Sequence, residues 1–170
     1  EGFYTNLKDV FTLENKGHDA QGNLLLERNN SDGAYVGGMN AEMRISHMQN
    51  FSLQGGFTVQ RSRYLTDYSW SESVAPQRRM FRTPDLYGYF NLDYLPFKYL
   101  SVALSGKYTG PMLLMHYSGY IENDTQVLSS SFMDLSLRLA CPLHISNSLS
   151  AEVFVSCKNI LDSYQKDIDF

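Results

Sequence analysis

Tyr35-Val36-Gly37-Gly38-Met39-Asn40-Ala41-Glu42-Met43-Arg44-Ile45-Ser46 breaks at 47–50 and resumes as Phe51-Ser52-Leu53-Gln54-Gly55-Gly56-Phe57-Thr58-Val59-Gln60-Arg61-Ser62. In the first segment Tyr35, Met39, Ala41, Met43 and Ile45 share the odd positions, against Asn40, Glu42, Arg44 and Ser46 on the even ones. In the second, Phe51, Leu53, Phe57 and Val59 alternate with Ser52, Gln54, Thr58 and Gln60. A period of two belongs to a β-strand, whose successive side chains leave on opposite sides. One side of each strand is therefore apolar and the other polar. Periodicity alone does not say which side is inside.

Outward from these segments the alternation recurs at 85–94, 100–107, 132–139 and 149–156, with Phe154 out of pattern on the polar side. A weaker strand covers 2–13, and 24–30 extends the strand that continues from Ala34. These make seven principal strands and an all-β, antiparallel fold. Setting Ile45 opposite Phe51, Tyr94 opposite Leu100 and Leu139 opposite Ala151 places apolar on apolar along each hairpin, the unit of sheet stability.

The connections alternate in length. Those at 46–50, 95–99 and 142–148 are short, while those at 14–23, 65–84 and 110–131 are long. Short turns thus gather at one end and long loops at the other. Transmembrane β-barrels have this asymmetry, and strands of about ten tilted residues suffice to cross a bilayer. Tyr and Phe near the strand ends suit an interfacial girdle. The alternative is a soluble antiparallel β-barrel or sandwich that binds a small apolar ligand.

Composition narrows the field. Of 170 residues, 43% are hydrophobic and 14% aromatic, and 14 basic against 18 acidic side chains leave a net charge of -4. Without a basic surplus, nucleic acid is not an expected partner. The longest apolar stretches, such as Met112-Leu113-Leu114-Met115, are far too short for a membrane helix. No Walker loop, GxGxxG, GxSxG or HExxH occurs, so no catalytic residue, cofactor or enzymatic activity is expected. His18, His47, His116 and His144 are scattered without metal spacing, and no metal site is expected. In the register above, Cys141 and Cys157 lie about eight residues apart along the sheet, roughly 26 Å at ~3.3 Å per residue. A disulfide needs Cα atoms within about 7 Å, so two free thiols are expected. Trp70, Arg78, Arg79 and Arg82 form a set suited to an anionic or aromatic ligand or to lipopolysaccharide phosphates, although a solvated loop with one packed Trp is the plainer reading.

Several segments carry a family resemblance. Arg82-Thr83-Pro84-Asp85-Leu86-Tyr87-Gly88-Tyr89 resembles the RTPxxYGY segment late in the barrel of TonB-dependent outer-membrane receptors, particularly those of the Bacteroides group. Tyr108-Thr109-Gly110-Pro111-Met112, then His116 and Gly119-Tyr120-Ile121, is similar to that family's YTGPM…H…GYI loop. Phe132 with Asp134 matches its FxD strand opening. Lys158-Asn159-Ile160 with Asp162-Ser163-Tyr164-Gln165-Lys166-Asp167 resembles its late NIFNSYQxDFD signature. Gly2-Phe3-Tyr4-Thr5 and the 57–64 strand fit as well, so the resemblance runs in order along essentially the whole chain.

The resemblance implies an antiparallel transmembrane β-barrel portion: about seven strands of a larger barrel of about 22 strands whose lumen holds a plug. Residues 1–170 are then expected to be the C-terminal part of that barrel, with the plug domain, earlier strands and final strand absent. The missing initiator Met and signal peptide read as truncation. The implied function is active transport of a scarce nutrient, a siderophore-iron complex, haem, cobalamin or glycan, across the cell outer membrane of a Gram-negative bacterium. The implied partners are outer-membrane lipid, the plug and remaining strands of the same receptor, the nutrient ligand, and the TonB complex through a region outside this sequence. Among loop residues, Trp70, Arg78, Arg79, His116 and Tyr117 are the candidates for substrate binding.

Overall fold

A computed structural model describes every residue except Gln49, Glu72, Gly119, Tyr120, Asn147 and 166–170, and leaves aside the side chains of Glu14, Asn15, His18 and Leu24. The described residues form twelve strands and no helix. They are β1 (Gly2–Leu7), β2 (Phe11–His18), β3 (Leu24–Asn30), β4 (Ala34–His47), β5 (Phe51–Tyr68), β6 (Gln77–Arg79), β7 (Leu86–Phe97), β8 (Leu100–Thr109), β9 (Leu113–His116), β10 (Thr125–Leu128), β11 (Phe132–Ser146) and β12 (Leu149–Cys157). Seven of them run β1-β4-β5-β7-β8-β11-β12 in one antiparallel sheet, to which β6 adds beside β5. The sheet is open, with β1 and β12 as its edges. Its seven-strand path matches the count that the alternation implies.

The short turns lie between β4 and β5, β7 and β8, and β11 and β12, all at one end. The long connections leave the other end, and each has strands of its own. The β2–β3 ribbon fills the first, β6 the second and the β9–β10 hairpin the third.

Two expected elements divide differently. The strand expected over 2–13 is two strands, with Asp9 at φ 52° between them. Residues 24–30 do not extend β4 but pair with β2, Phe11 opposite Asn30. Gly33 separates the two, at φ +114° and so close to the Leu7 carbonyl that a Cβ would stand 2.5 Å from its oxygen. Glycine alone takes that conformation and that approach without strain.

Registers also differ from expectation, always by an even number. Phe51 pairs with His47 and Leu53 with Ile45, two residues from the expected register. Tyr94 pairs with Val102, again a shift of two. Leu139 pairs with Val155, a shift of four, in a hairpin with a bulge between His144 and Ser146. The real turns are tighter than the breaks in alternation suggest, and even shifts keep every side chain on its own face. Cys141 pairs with Val153 and Cys157 with Leu137. About four residues still separate the cysteines along the sheet, roughly 13 Å at ~3.3 Å per residue, and both are free thiols. Phe154, out of pattern on the polar side, lies under the Arg138 guanidinium at 4.4 Å.

After β12 the chain folds back onto the start of β11. The Ile160 amide donates to the Leu135 carbonyl at 2.9 Å. The Met133 amide donates to Ser163 Oγ at 3.3 Å, and the Ser163 amide to Asn159 Oδ1 at 3.0 Å. Gly119, Tyr120, Lys166 and Asp167, part of the resemblance above, lie outside the described residues.

Candidate functional site

The exposures along β5 show which face is covered. Phe57 and Val59 are 47% and 46% exposed, while Thr58 between them is 9% and Ser62 2% exposed. The polar side of β5 is the covered one, and Met39, Met43, Ile45, Leu86, Val153 and Val155 also stand exposed on the apolar side of the sheet. A water-borne sheet does the reverse.

On the polar side lies a cavity of about 830 Å³, lined from β4, β5, β7 and β8, with Glu1 at its rim. Its wall is built by register. Glu42, Gly56 and Tyr89 lie in one row across β4, β5 and β7, and Lys107 continues that row on β8. Gly56 is the opening in the row, since a Cβ there would come within 2.9 Å of Glu42 Cγ and 3.1 Å of Tyr89 Cε1. Over that gap Tyr89 Oη donates to Glu42 Oε1 at 3.3 Å and accepts from Gln54 Nε2 at 3.5 Å. One row up, Thr58 Oγ1 donates to Asn40 Oδ1 at 2.8 Å. Tyr87 stands two residues from Tyr89 and also lines the cavity.

The wall thus offers phenol groups, carboxylates, an ammonium, an amide and hydroxyls, and among the described residues its lining holds no Ser, Cys or His. That set suits hydrogen bonding and stacking against a polar solute. Among the described residues no three His, Cys, Asp or Glu side chains converge to hold a metal.

Two segments quoted for the resemblance shape this cavity. The 82–89 stretch begins as a corner, with Arg82 at φ 54° and its amide donating to the Leu113 carbonyl at 2.9 Å. The Pro84 carbonyl accepts from Gln60 Nε2 at 3.0 Å. Beyond the corner, Tyr87, Gly88 and Tyr89 enter the wall, and Tyr108 and Thr109 complete it from β8.

The loop residues favoured by the sequence stand elsewhere, in two parts of the cap that the long connections form. Trp70 packs edge-on against Tyr68 and Phe81, both at 4.8 Å, with its Nε1 buried and without a hydrogen-bond partner. Arg78 pairs with Asp67 at 3.1 Å on an exposed surface. Arg79 pairs with Asp85 at 3.0 Å, and Arg63 reaches the same carboxylate at 3.8 Å. His116 ends β9, opposite Thr125, and Tyr117 follows it, exposed. None of the five lines the cavity. The wall residues are legible in the sequence only as the polar side of the alternation.

The cap has a small core of its own. Val74, Met112, Leu113 and Leu114 are buried, Leu114 to 2% exposure. The Met112 amide donates to Ser129 Oγ at 2.9 Å, and Ser73 Oγ donates to the Asp124 carbonyl at 3.4 Å, joining the two later connections. Burial pushes the Asp124 carboxyl up, but hydrogen bonds from the Ser71 hydroxyl and from Ser118 outweigh it and hold the group below its ordinary value. Tyr68 Oη donates to the Leu13 carbonyl, tying the β2–β3 ribbon to the top of β5.

No protein-family model, curated protein or solved structure matches the chain.

Proposed function

We propose that the sheet is a portion of a transmembrane β-barrel in the outer membrane of a Gram-negative bacterium, part of a TonB-dependent receptor that actively imports a scarce nutrient. The observation that carries this is the inversion on β5, with Thr58 covered between half-exposed Phe57 and Val59. Lipid is the solvent that favours such an arrangement. Aromatic pairs mark both ends. Tyr4 stacks on Tyr35 at 6.0 Å toward the loop end, while Phe51 meets Tyr94 at 6.5 Å and Phe97 stacks on Tyr99 at 5.4 Å at the turn end. Tyr35 pairs with Arg63, twelve residues along β5 from Phe51. That is about 40 Å of strand, or ~28 Å of height at ~45° tilt, against an apolar band of about 25 Å.

Edges β1 and β12 need partners in lipid, because unpaired backbone groups are costly there. Further strands of the same receptor would supply them, and a plug would face the wall of Glu42, Tyr89 and Lys107. The nutrient class, siderophore-iron, haem, cobalamin or glycan, rests on the resemblance alone. A soluble sandwich around an apolar ligand is less well supported, since it would need the apolar side inside.

Expression of the full-length receptor in a Gram-negative host tests this. The chain should stay with the outer membrane through an alkaline carbonate wash and leave it only in detergent. Recovery as a monodisperse species in the aqueous fraction would overturn the proposal. Growth of a deletion strain on single iron, cobalamin or glycan sources then identifies the nutrient.

A further inference from the structure

The outward column of β5 changes chemistry over a few residues. Val59, half-exposed, belongs to the apolar row, and Arg61 and Arg63 follow at the same parity. Arg61 lies opposite Gly37 of β4, and Tyr4 of β1 is opposite Gly37 from the other flank. The Tyr4 ring occupies the space a side chain at Gly37 would take, with Cδ2 3.1 Å from the position of a Cβ. It stacks on Tyr35, the residue opposite Arg63. On the far side of Arg63, Arg79 of β6 pairs in register, and both guanidinium groups share the single carboxylate of Asp85. Three guanidinium groups and one carboxylate therefore stand where the apolar face ends, beside two stacked phenols. Arg79 Nε is buried without a partner, and Arg61 is exposed, with no ion-pair partner among the described residues.

We propose that Arg61, backed by the Arg63–Arg79–Asp85 cluster and flanked by Tyr4 and Tyr35, receives the phosphate of a membrane-lipid headgroup on the long-loop side of the bilayer. This rests on the membrane reading above. Charge complementarity selects the ligand. The first cation above the apolar row meets a bilayer at its headgroup phosphates, and a guanidinium binds phosphate through two parallel hydrogen bonds. The tyrosine pair, Tyr4 exposed and Tyr35 half-buried, suits the same depth, where a ring keeps its body in the apolar region and its hydroxyl in water.

The test uses the full-length receptor in nanodiscs doped with lipid A in its phosphorylated or its dephosphorylated form. Native mass spectrometry then measures the lipid retained after transfer to neutral detergent. Phosphorylated lipid A should be retained by the native chain, about tenfold less by Arg61→Gln, and partly again by Arg61→Lys. Arg44→Gln, on the polar side of β4 near the short turns, should retain it undiminished. Equal retention of the two lipid forms, or an Arg61→Gln chain that holds phosphorylated lipid as well as the native one, would overturn the site while leaving the membrane reading standing. Failure of the native chain to enter nanodiscs at all would overturn that reading and this site with it.

Discussion

The middle of the sheet and the cap of long connections treat apolar side chains in opposite ways. On the sheet, Phe57, Val59, Met39 and Met43 are left about half-exposed. In the cap, Val74, Met112, Leu113 and Leu114 are buried, and hydrogen bonds from the Met112 amide and the Ser73 hydroxyl tie the segments together. The cap obeys the rules of a water-soluble core, where removing apolar area from water contributes about 25 cal/mol per Å². The sheet forgoes much of that term on its apolar face and is held by its backbone ladder and its polar side. One chain thus carries features suited to two solvents, and the change between them falls near Arg61.

The sharpest way to separate the two regions is to open the cap core. Leu114→Ala should cost ~2–5 kcal/mol in local stability, because a side chain with almost no exposure leaves a cavity. Hydrogen exchange should quicken across β9 and β10 while β4 and β5 keep their protection. An equal loss in both would mean that cap and sheet are one cooperative unit.

On the sheet the corresponding change is a charge. Phe57→Lys, midway between Phe51 and Arg63 on β5, should cost ~2–4 kcal/mol when the protein is folded in lipid vesicles, falling towards nothing if that face meets water. Urea titration in vesicles reads the difference, and an unaffected midpoint would erase the contrast between the two regions.

A third change addresses the cavity wall. Gly56→Val would drive a side chain between Glu42 and Tyr89, whose atoms lie 2.9 and 3.1 Å from where a Cβ would stand. The overpacking should cost ~1–3 kcal/mol and break the Tyr89–Glu42 hydrogen bond. A crystal structure retaining that bond would show the row to be more pliable than its register suggests.

Acid should loosen the cap before the sheet. The Asp124 carboxyl is held below its ordinary value of 3.8. Its contribution is therefore fully present above that pH and is lost as pH falls below it through the folded value. Trp70, the single tryptophan, neighbours Ser71, whose hydroxyl bonds to Asp124. Its fluorescence should shift below pH 3.8 in the native chain and not in Asp124→Asn.

The smallest effect is expected at the edge. Arg138 pairs with Glu152 and lies over Phe154, all partly exposed. Glu152→Gln should change stability by less than about 1 kcal/mol, as exposed ion pairs do. A larger loss in thermal unfolding would mean that the pair is more shielded from water than its exposure indicates.

Much of the sheet is legible in the sequence because alternation survives local error. The pairs around Ile45, Tyr94 and Leu139 are displaced from expectation by two, two and four residues, yet apolar still meets apolar, since only odd shifts exchange the faces. The cap is not legible in this way. Met112 to Leu114 carry no period, being buried by segments distant in sequence, and the separation of β3 from β4 depends on a close approach of Gly33 to Leu7. The cavity escapes a sequence reading for a related reason. Glu42 and Tyr89 meet only across Gly56, so their contact needs the true register of three strands, whereas Trp70, Arg78 and Arg79 stand out by residue type alone.

Alternation in the chain is enough to give each strand one apolar and one polar side, to number the principal strands, and to place the long connections at one end. These follow from the geometry of an L-residue strand, which sends neighbouring side chains to opposite sides whatever surrounds it. That the polar side of β5 is the covered one, with Thr58 shielded between exposed Phe57 and Val59, is a choice made by packing in three dimensions. It depends on how neighbouring strands and distant connections come together in space, which the period of a single strand does not encode.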